Sequence, residues 1–141
     1  VIPVQFTTSL DGIDESMLVG FCVDWPSPMS PATHLRLLHG SHRVVLALDE
    51  DRVVGFVTAI SDGVLSAYIP LLEVLPTWKG RGIGTELVRR MLDELSDLYM
   101  VDLLCDDDVA PFYERIDGMI RVGGFCVRNY AAQRGIGDVR R

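Results

Sequence analysis

Lysine is almost missing from this chain. Of thirteen basic residues only Lys79 is a lysine and twelve are arginines; twenty acidic residues oppose them and leave a net charge of −7. A surface of that sign argues against nonspecific binding to nucleic acid or anionic lipid, so neither partner is expected. Cysteine is scarce as well: Cys22, Cys105 and Cys126 are odd in number, and no two stand at C-x-x-C spacing. That argues against a disulfide framework and a structural zinc site, and it points to a reducing compartment with the three thiols as small buried apolar groups. His34, His39 and His42 cluster, but no cysteine or carboxylate joins them in a ligand pattern, so no metal is expected. No apolar run approaches the ~18 residues of a membrane span and no secretory leader opens the chain. The expectation is a cytoplasmic protein without membrane contact.

What is present is the composition of one globular domain: 141 residues, 48% hydrophobic, 23% charged, with a mean hydropathy of +0.24. A chain of that length buries roughly 68–70% of its unfolded surface and needs no covalent staple. There is no internal repeat and no linker, so residues 1–141 are read as a single domain.

Ile2 to Thr7 is a candidate strand, and Asp14 to Phe21 a candidate helix. Three prolines between Pro26 and Pro31 force a loop. Ser30 then caps a helix from Pro31 to His39, with proline at its first position. Arg43 to Leu48 and Val53 to Ile60 form a hairpin around Asp49-Glu50-Asp51. Gly55 inside the second strand marks a bulge or a close packing contact. Tyr68 to Leu75 is apolar on both faces and reads as a central strand. Ile83, Leu87, Val88, Met91, Leu92, Leu95 and Leu98 repeat at helical spacing. Met100 to Cys105, Val109 to Ile116 and Met119 to Val127 follow as strand, helix and strand, and residues 129–141 as a flexible tail. This order predicts an α/β (α+β) fold: a central mixed, mostly antiparallel sheet with helices on both faces.

The chemical signal lies where the third long strand meets the long helix, at Lys79-Gly80-Arg81-Gly82-Ile83-Gly84-Thr85. Glycines let the backbone approach a ligand, and the free amides of a helix's first turn favour an anion there. Lys79 and Arg81 add positive charge to an acidic protein. The pattern is a pyrophosphate cradle. A P-loop needs its lysine after the glycines, and a dinucleotide fold needs G-x-G-x-x-G; neither fits.

The segment resembles motif A of the GNAT superfamily of N-acetyltransferases, Gln/Arg-x-x-Gly-x-Gly/Ala, with Lys79 where Gln or Arg is usual. A second segment, Phe112-Tyr113-Glu114-Arg115 running to Gly118-Met119, is similar to the family's Phe-Tyr-Glu-Lys/Arg segment ending in Gly-Phe. The two lie about thirty residues apart in the right order, with one strand between them. The resemblance covers residues 53–127 well; residues 1–42 match only in element order and are expected to be the acceptor side.

The resemblance implies a fold in which acetyl-CoA lies in a V-shaped gap beside the central strand. Backbone groups of Val74 and Leu75 would bond the pantetheine arm, and the amides of Lys79, Gly80, Arg81, Gly82, Ile83, Gly84 and Thr85 would hold the pyrophosphate. An amine of a small molecule or peptide would attack the thioester directly. Tyr113 matches the family tyrosine that protonates the leaving thiolate. Glu73, a carboxylate in an apolar strand, is the candidate base; it could equally be the partner of an arginine on a neighbouring strand. Asp106, Asp107 and Asp108 could attract a cationic acceptor, or form a solvated turn with Asp108 as a helix cap. The alternative function is a non-catalytic module that binds acyl-CoA as a sensor. A homodimer is compatible with either.

Overall fold

Asp49 and Arg52 close a two-residue turn in which Glu50 takes φ +51°, and the hairpin this creates is the centre of the sheet. The computed structural model describes residues 3–133. Strand β1 (Gln5–Thr7) pairs antiparallel with β2 (Arg43–Asp49), and β2 with β3 (Arg52–Ser61). The register of that hairpin shifts between Ala47 and Leu48: Ala47 faces Gly55 and Leu48 faces Val53, so Val54 is the extra residue of a bulge. Gly55 serves packing too. A Cβ there would lie 3.1 Å from Leu87 Cδ1 and 3.3 Å from Ile83 Cγ2.

That close approach belongs to α2 (Ile83–Glu94), which buries Ile83, Leu87 and Met91 in the core it shares with β2, β3 and β5. Each such side chain contributes roughly 1.5–3 kcal/mol by leaving water. Helix α1 (Pro31–Gly40) covers the other face, started by Ser30, whose hydroxyl accepts from the Thr33 amide at 3.1 Å. There Phe21, His34 and Phe56 bring their rings together at centroid distances of 5.3, 5.1 and 4.3 Å. Helices on both faces explain why Val53 to Ala59 is buried without interruption.

The expected helix over Asp14 to Phe21 is a 3-10 turn only, Glu15–Leu18. Asp14 caps it, but Val19 is extended and Gly20 takes φ +104°, which ends it at once. The expected central strand, Tyr68 to Leu75, is two short strands, β4 (Ser66–Tyr68) and β5 (Leu72–Val74). Pro70 sits between them and has no amide to donate. β4 pairs β3 on one side and, in parallel, β6 (Met100–Asp102) on the other, whereas among the described residues β5 pairs only β3. The result is a six-stranded mixed sheet in a single α/β domain, antiparallel except at β4–β6.

The strand expected over Met119 to Val127 is not formed. After α3 (Ala110–Glu114) the chain runs without strand pairing to a 3-10 turn at Tyr130–Ala132. Cys105 and Cys126 are exposed in consequence, and only Cys22 is the buried thiol expected of all three. Of the expected tail, residues 134–141 lie outside the described residues.

Candidate active site

The break at Pro70 opens the sheet. The amide of Ile69 donates to the Asp102 carbonyl at 2.9 Å, and beyond that bond β5 follows β3 while residues 103–105 continue from β6. A gap therefore widens between the two, with β5 as one wall. Along β5 the Thr58 amide donates to Leu71 O at 3.1 Å and the Leu75 amide to Val54 O at 2.8 Å. In an antiparallel ladder alternate residues turn their backbone groups to opposite edges. Leu72 and Val74 thus present theirs to the gap. Leu75 does not: besides its amide bond to Val54, its carbonyl accepts from the Trp78 amide at 2.8 Å.

The glycine loop closes the end of this gap. Pro76–Trp78 form a single 3-10 turn, and the Lys79 amide donates to Pro76 O at 3.3 Å. Lys79 therefore offers its exposed ammonium rather than its amide. Gly80 and Gly82 take φ +78° and +82°, a region where an L side chain is strained, and nothing lies within 4 Å of a Cβ placed on either. The first bond of α2 runs from the Glu86 amide to Gly82 O at 3.1 Å. The amides of Ile83, Gly84 and Thr85 consequently start the helix without an intrahelical acceptor. Gly84 is a contact glycine: its Cβ would meet the Phe112 ring at 3.4 Å. Arg81 folds back, its guanidinium 4.6 Å above the Trp78 ring and bonded to Thr77 O at 3.2 Å. These two side chains and Phe6 wall a cleft of about 300 Å³ beside the loop.

Phe112 also fixes Tyr113, the two rings standing edge to face at 4.9 Å. Burial first, and the neighbouring Cys105 second, push the Tyr113 phenol up to about 12. It stays protonated throughout the physiological range.

Glu73 faces the other side of the sheet. It pairs with Phe56, while Val74 pairs with Gly55 and lies on the α2 face. No arginine meets Glu73 among the described ion pairs. Instead the Cys22 amide donates to both carboxylate oxygens at 3.1 Å, and the Cys22 thiol lies 3.5 Å from Oε1. Cys22 holds this position at φ +60°, rare for a residue other than glycine. Sequence reasoning missed this partner, because a backbone amide leaves no residue-type signal. Asp107 pairs with Arg121 at 2.8 Å, and Val109 stands at the N-cap of α3 with no side-chain cap bond, so Asp108 does not cap it. No group of three or more His, Cys, Asp or Glu among the described residues could hold a metal, and no described helix is long and apolar enough to cross a membrane.

The profile of the acetyltransferase (GNAT) family matches residues 10–119, most of the chain and every element of this site. The chain belongs to the GNAT family. A crystal structure of a candidate acetyltransferase from Deinococcus radiodurans R1 is similar at 50% identity, with a TM-score of 0.90 over 96% of this chain and 94% of that one. A GNAT family protein from Streptococcus pneumoniae TIGR4 is 25% identical, with a TM-score of 0.68 over 92% and 98% of the two chains. Among curated relatives, N-alpha-acetyltransferase 30 of Schizosaccharomyces pombe is 30% identical over 90 residues. GCN5-related N-acetyltransferase 3 of Arabidopsis thaliana, a chloroplastic protein, is 38% identical over 73 residues. The match spans 31% of the Arabidopsis protein and 55% of the yeast one, covering 50% and 57% of this GNAT chain.

Proposed function

We propose that this GNAT protein is an acetyl-CoA-dependent N-acetyltransferase whose acceptor is a primary amine of a small molecule or a peptide. The observation that carries the reading is the gap itself. One wall offers the backbone of Leu72 and Val74 and its end offers the unpaired amides of Ile83, Gly84 and Thr85, while Phe112, packed on Gly84, carries the adjoining Tyr113.

The residues present fit acetyl-CoA. Bare glycines at Gly80 and Gly82 leave the approach open, and Lys79 supplies an exposed cation in an acidic protein. Bound acetyl-CoA would supply an activated acyl carbon and a thiolate leaving group. The chain must then move two protons. Amines are protonated at neutral pH, and Glu73, whose carboxylate is held by the Cys22 amide, would take the first. Tyr113 donates the second to the departing sulfur. Its raised pKa keeps that proton on the oxygen until the transfer.

Release of free thiol from acetyl-CoA, followed over a panel of polyamines, aminoglycosides, amino acids and peptides, tests this reading. Turnover with at least one amine class is expected, together with a higher melting temperature in acetyl-CoA. A raised melting temperature with no turnover on any amine would favour an acyl-CoA sensor. No shift in melting would remove the cofactor from the proposal altogether.

A further inference from the structure

Among the described residues, two other than glycine take positive φ: Glu50 at +51° and Cys22 at +60°. Glu50 stands in the two-residue turn between β2 and β3, where that conformation is ordinary. Cys22 stands in no hairpin, and its side chain is not one of the short polar ones that ease a residue into the left-handed region. A residue held there costs free energy and persists only where its surroundings over-determine it.

The surroundings of Cys22 do so. On one side the Val19 carbonyl accepts from the Arg52 guanidinium of β3 at 3.3 Å, and the Phe21 ring stands edge to face against Phe56 of β3 at 5.1 Å. On the other side the Trp25 amide donates to Cys22 O at 3.2 Å and closes a turn over 22–25. Between these anchors the Cys22 amide points at β5 and meets both oxygens of Glu73. Phe56, which receives Phe21, is also the register partner of Glu73 in the β3–β5 ladder. One residue thus locates both the turn and the carboxylate. An extended or right-handed φ at residue 22 would turn the N–H away from β5 or drag the anchored neighbours with it.

We propose that Cys22 is a positioning residue: its left-handed backbone, rather than its thiol, aims the amide that sets the Glu73 carboxylate for removal of a proton from the acceptor amine. This role rests on the reading of Glu73 as the base. Proton transfer demands close geometry, so a carboxylate left to swing would serve the reaction poorly.

Cys22→Val, Cys22→Gly and Glu73→Gln, with the two double variants, form the test, read as kcat and KM by thiol release from acetyl-CoA. Valine is β-branched and resists positive φ, so the turn should relax and withdraw the amide. With Glu73 in place kcat should fall about 30-fold, and the KM for acetyl-CoA should hold. In the Glu73→Gln protein the same substitution should change kcat by less than about twofold, because no base remains to be aimed. Glycine adopts this φ freely, so Cys22→Gly should keep at least about a third of the wild-type kcat with the thiol gone. Gly20→Ala distorts the same turn by a second route, should valine at this buried position unfold the protein. Gly20 takes φ +104°, and an added Cβ would stand 3.3 Å from Leu75 Cδ2. Its loss of kcat should depend on Glu73 in the same way. An equal loss from Cys22→Val in both backgrounds, a wild-type rate in the folded Cys22→Val protein, or a Cys22→Gly as slow as Cys22→Val would overturn the role of Cys22 alone. A wild-type rate in Glu73→Gln, or a wild type without turnover, would overturn the reaction assigned to Glu73 and this role with it.

Discussion

The main-chain amide of Cys22 stands 3.1 Å from each oxygen of the Glu73 carboxylate. The two residues are far apart in sequence and belong to different layers: Cys22 follows the 3-10 turn on the α1 face, and Glu73 lies in β5. The bond fixes the carboxylate on the α1 face of β5, and no ion pair among the described residues pins it. The same carboxylate holds its neighbour inert. Burial first and the Glu73 charge second push the Cys22 thiol up to about 12.

Glu73→Gln should preserve the bond to Cys22, since an amide oxygen also accepts, and should remove only the base. We expect kcat to fall roughly 100-fold at neutral pH, with the melting temperature nearly unchanged. Because the substrate amine then has to lose its proton to solvent, the variant's rate should climb with pH up to the amine's own pKa. A variant with the wild-type pH profile and rate would show that Glu73 is structural.

Tyr113→Phe keeps the ring against Phe112 and deletes the hydroxyl. The expected result is a loss of about two orders of magnitude in kcat with acetyl-CoA affinity unchanged by calorimetry. No decline in wild-type rate from this group is expected between pH 7 and 10, because its pKa lies near 12. Thiol release from the variant at the wild-type rate would assign the proton donor elsewhere.

Much of this site was legible in the sequence, and the rest was hidden for identifiable reasons. The glycines and cations of residues 79–85 announced the cradle because φ > 0 and close approach restrict residue type. The role of Leu75 did not survive intact, since which edge of β5 a backbone group faces depends on the register with β3. Of the two meanings of Gly55, close packing falls on the glycine itself, and the bulge falls on its neighbour Val54. The strand expected over Met119 to Val127 had β-branched and aromatic residues, but pairing is not local, and its apolar phase breaks at Gly123-Gly124, between Val122 and Phe125.

Lys79 separates charge from backbone in the cradle. Its amide is bonded to Pro76 and its side chain is exposed, so neither substitution below should alter stability by more than about 0.5 kcal/mol. Lys79→Gln should bind acetyl-CoA nearly as well as the wild type. Lys79→Glu should bind about tenfold more weakly at low ionic strength, and the gap should narrow in high salt. Equal affinities for the two variants at low salt would mean that the amides and the helix terminus hold the anion unaided.

His34 makes the fold sensitive to acid in a predictable direction. The ring is 1% exposed between Phe21 and Phe56, and neither nitrogen has a hydrogen-bond partner among the described residues. Burial alone lowers its pKa from 6.5 to about 4, so the folded state holds the neutral ring. Below pH 6.5 the unfolded chain takes up a proton that the folded chain refuses. Stability from this group is therefore complete above pH 6.5, declines as pH falls and levels off below about 4. By pH 5 the loss should amount to about 2 kcal/mol. Urea unfolding at pH 7 and pH 5 measures it directly, and His34→Leu supplies the control, because carboxylates elsewhere titrate alike in both proteins. The variant should lose less stability over that interval by about the same amount. Equal losses in the two proteins would show that protonation of His34 is not what acid acts on.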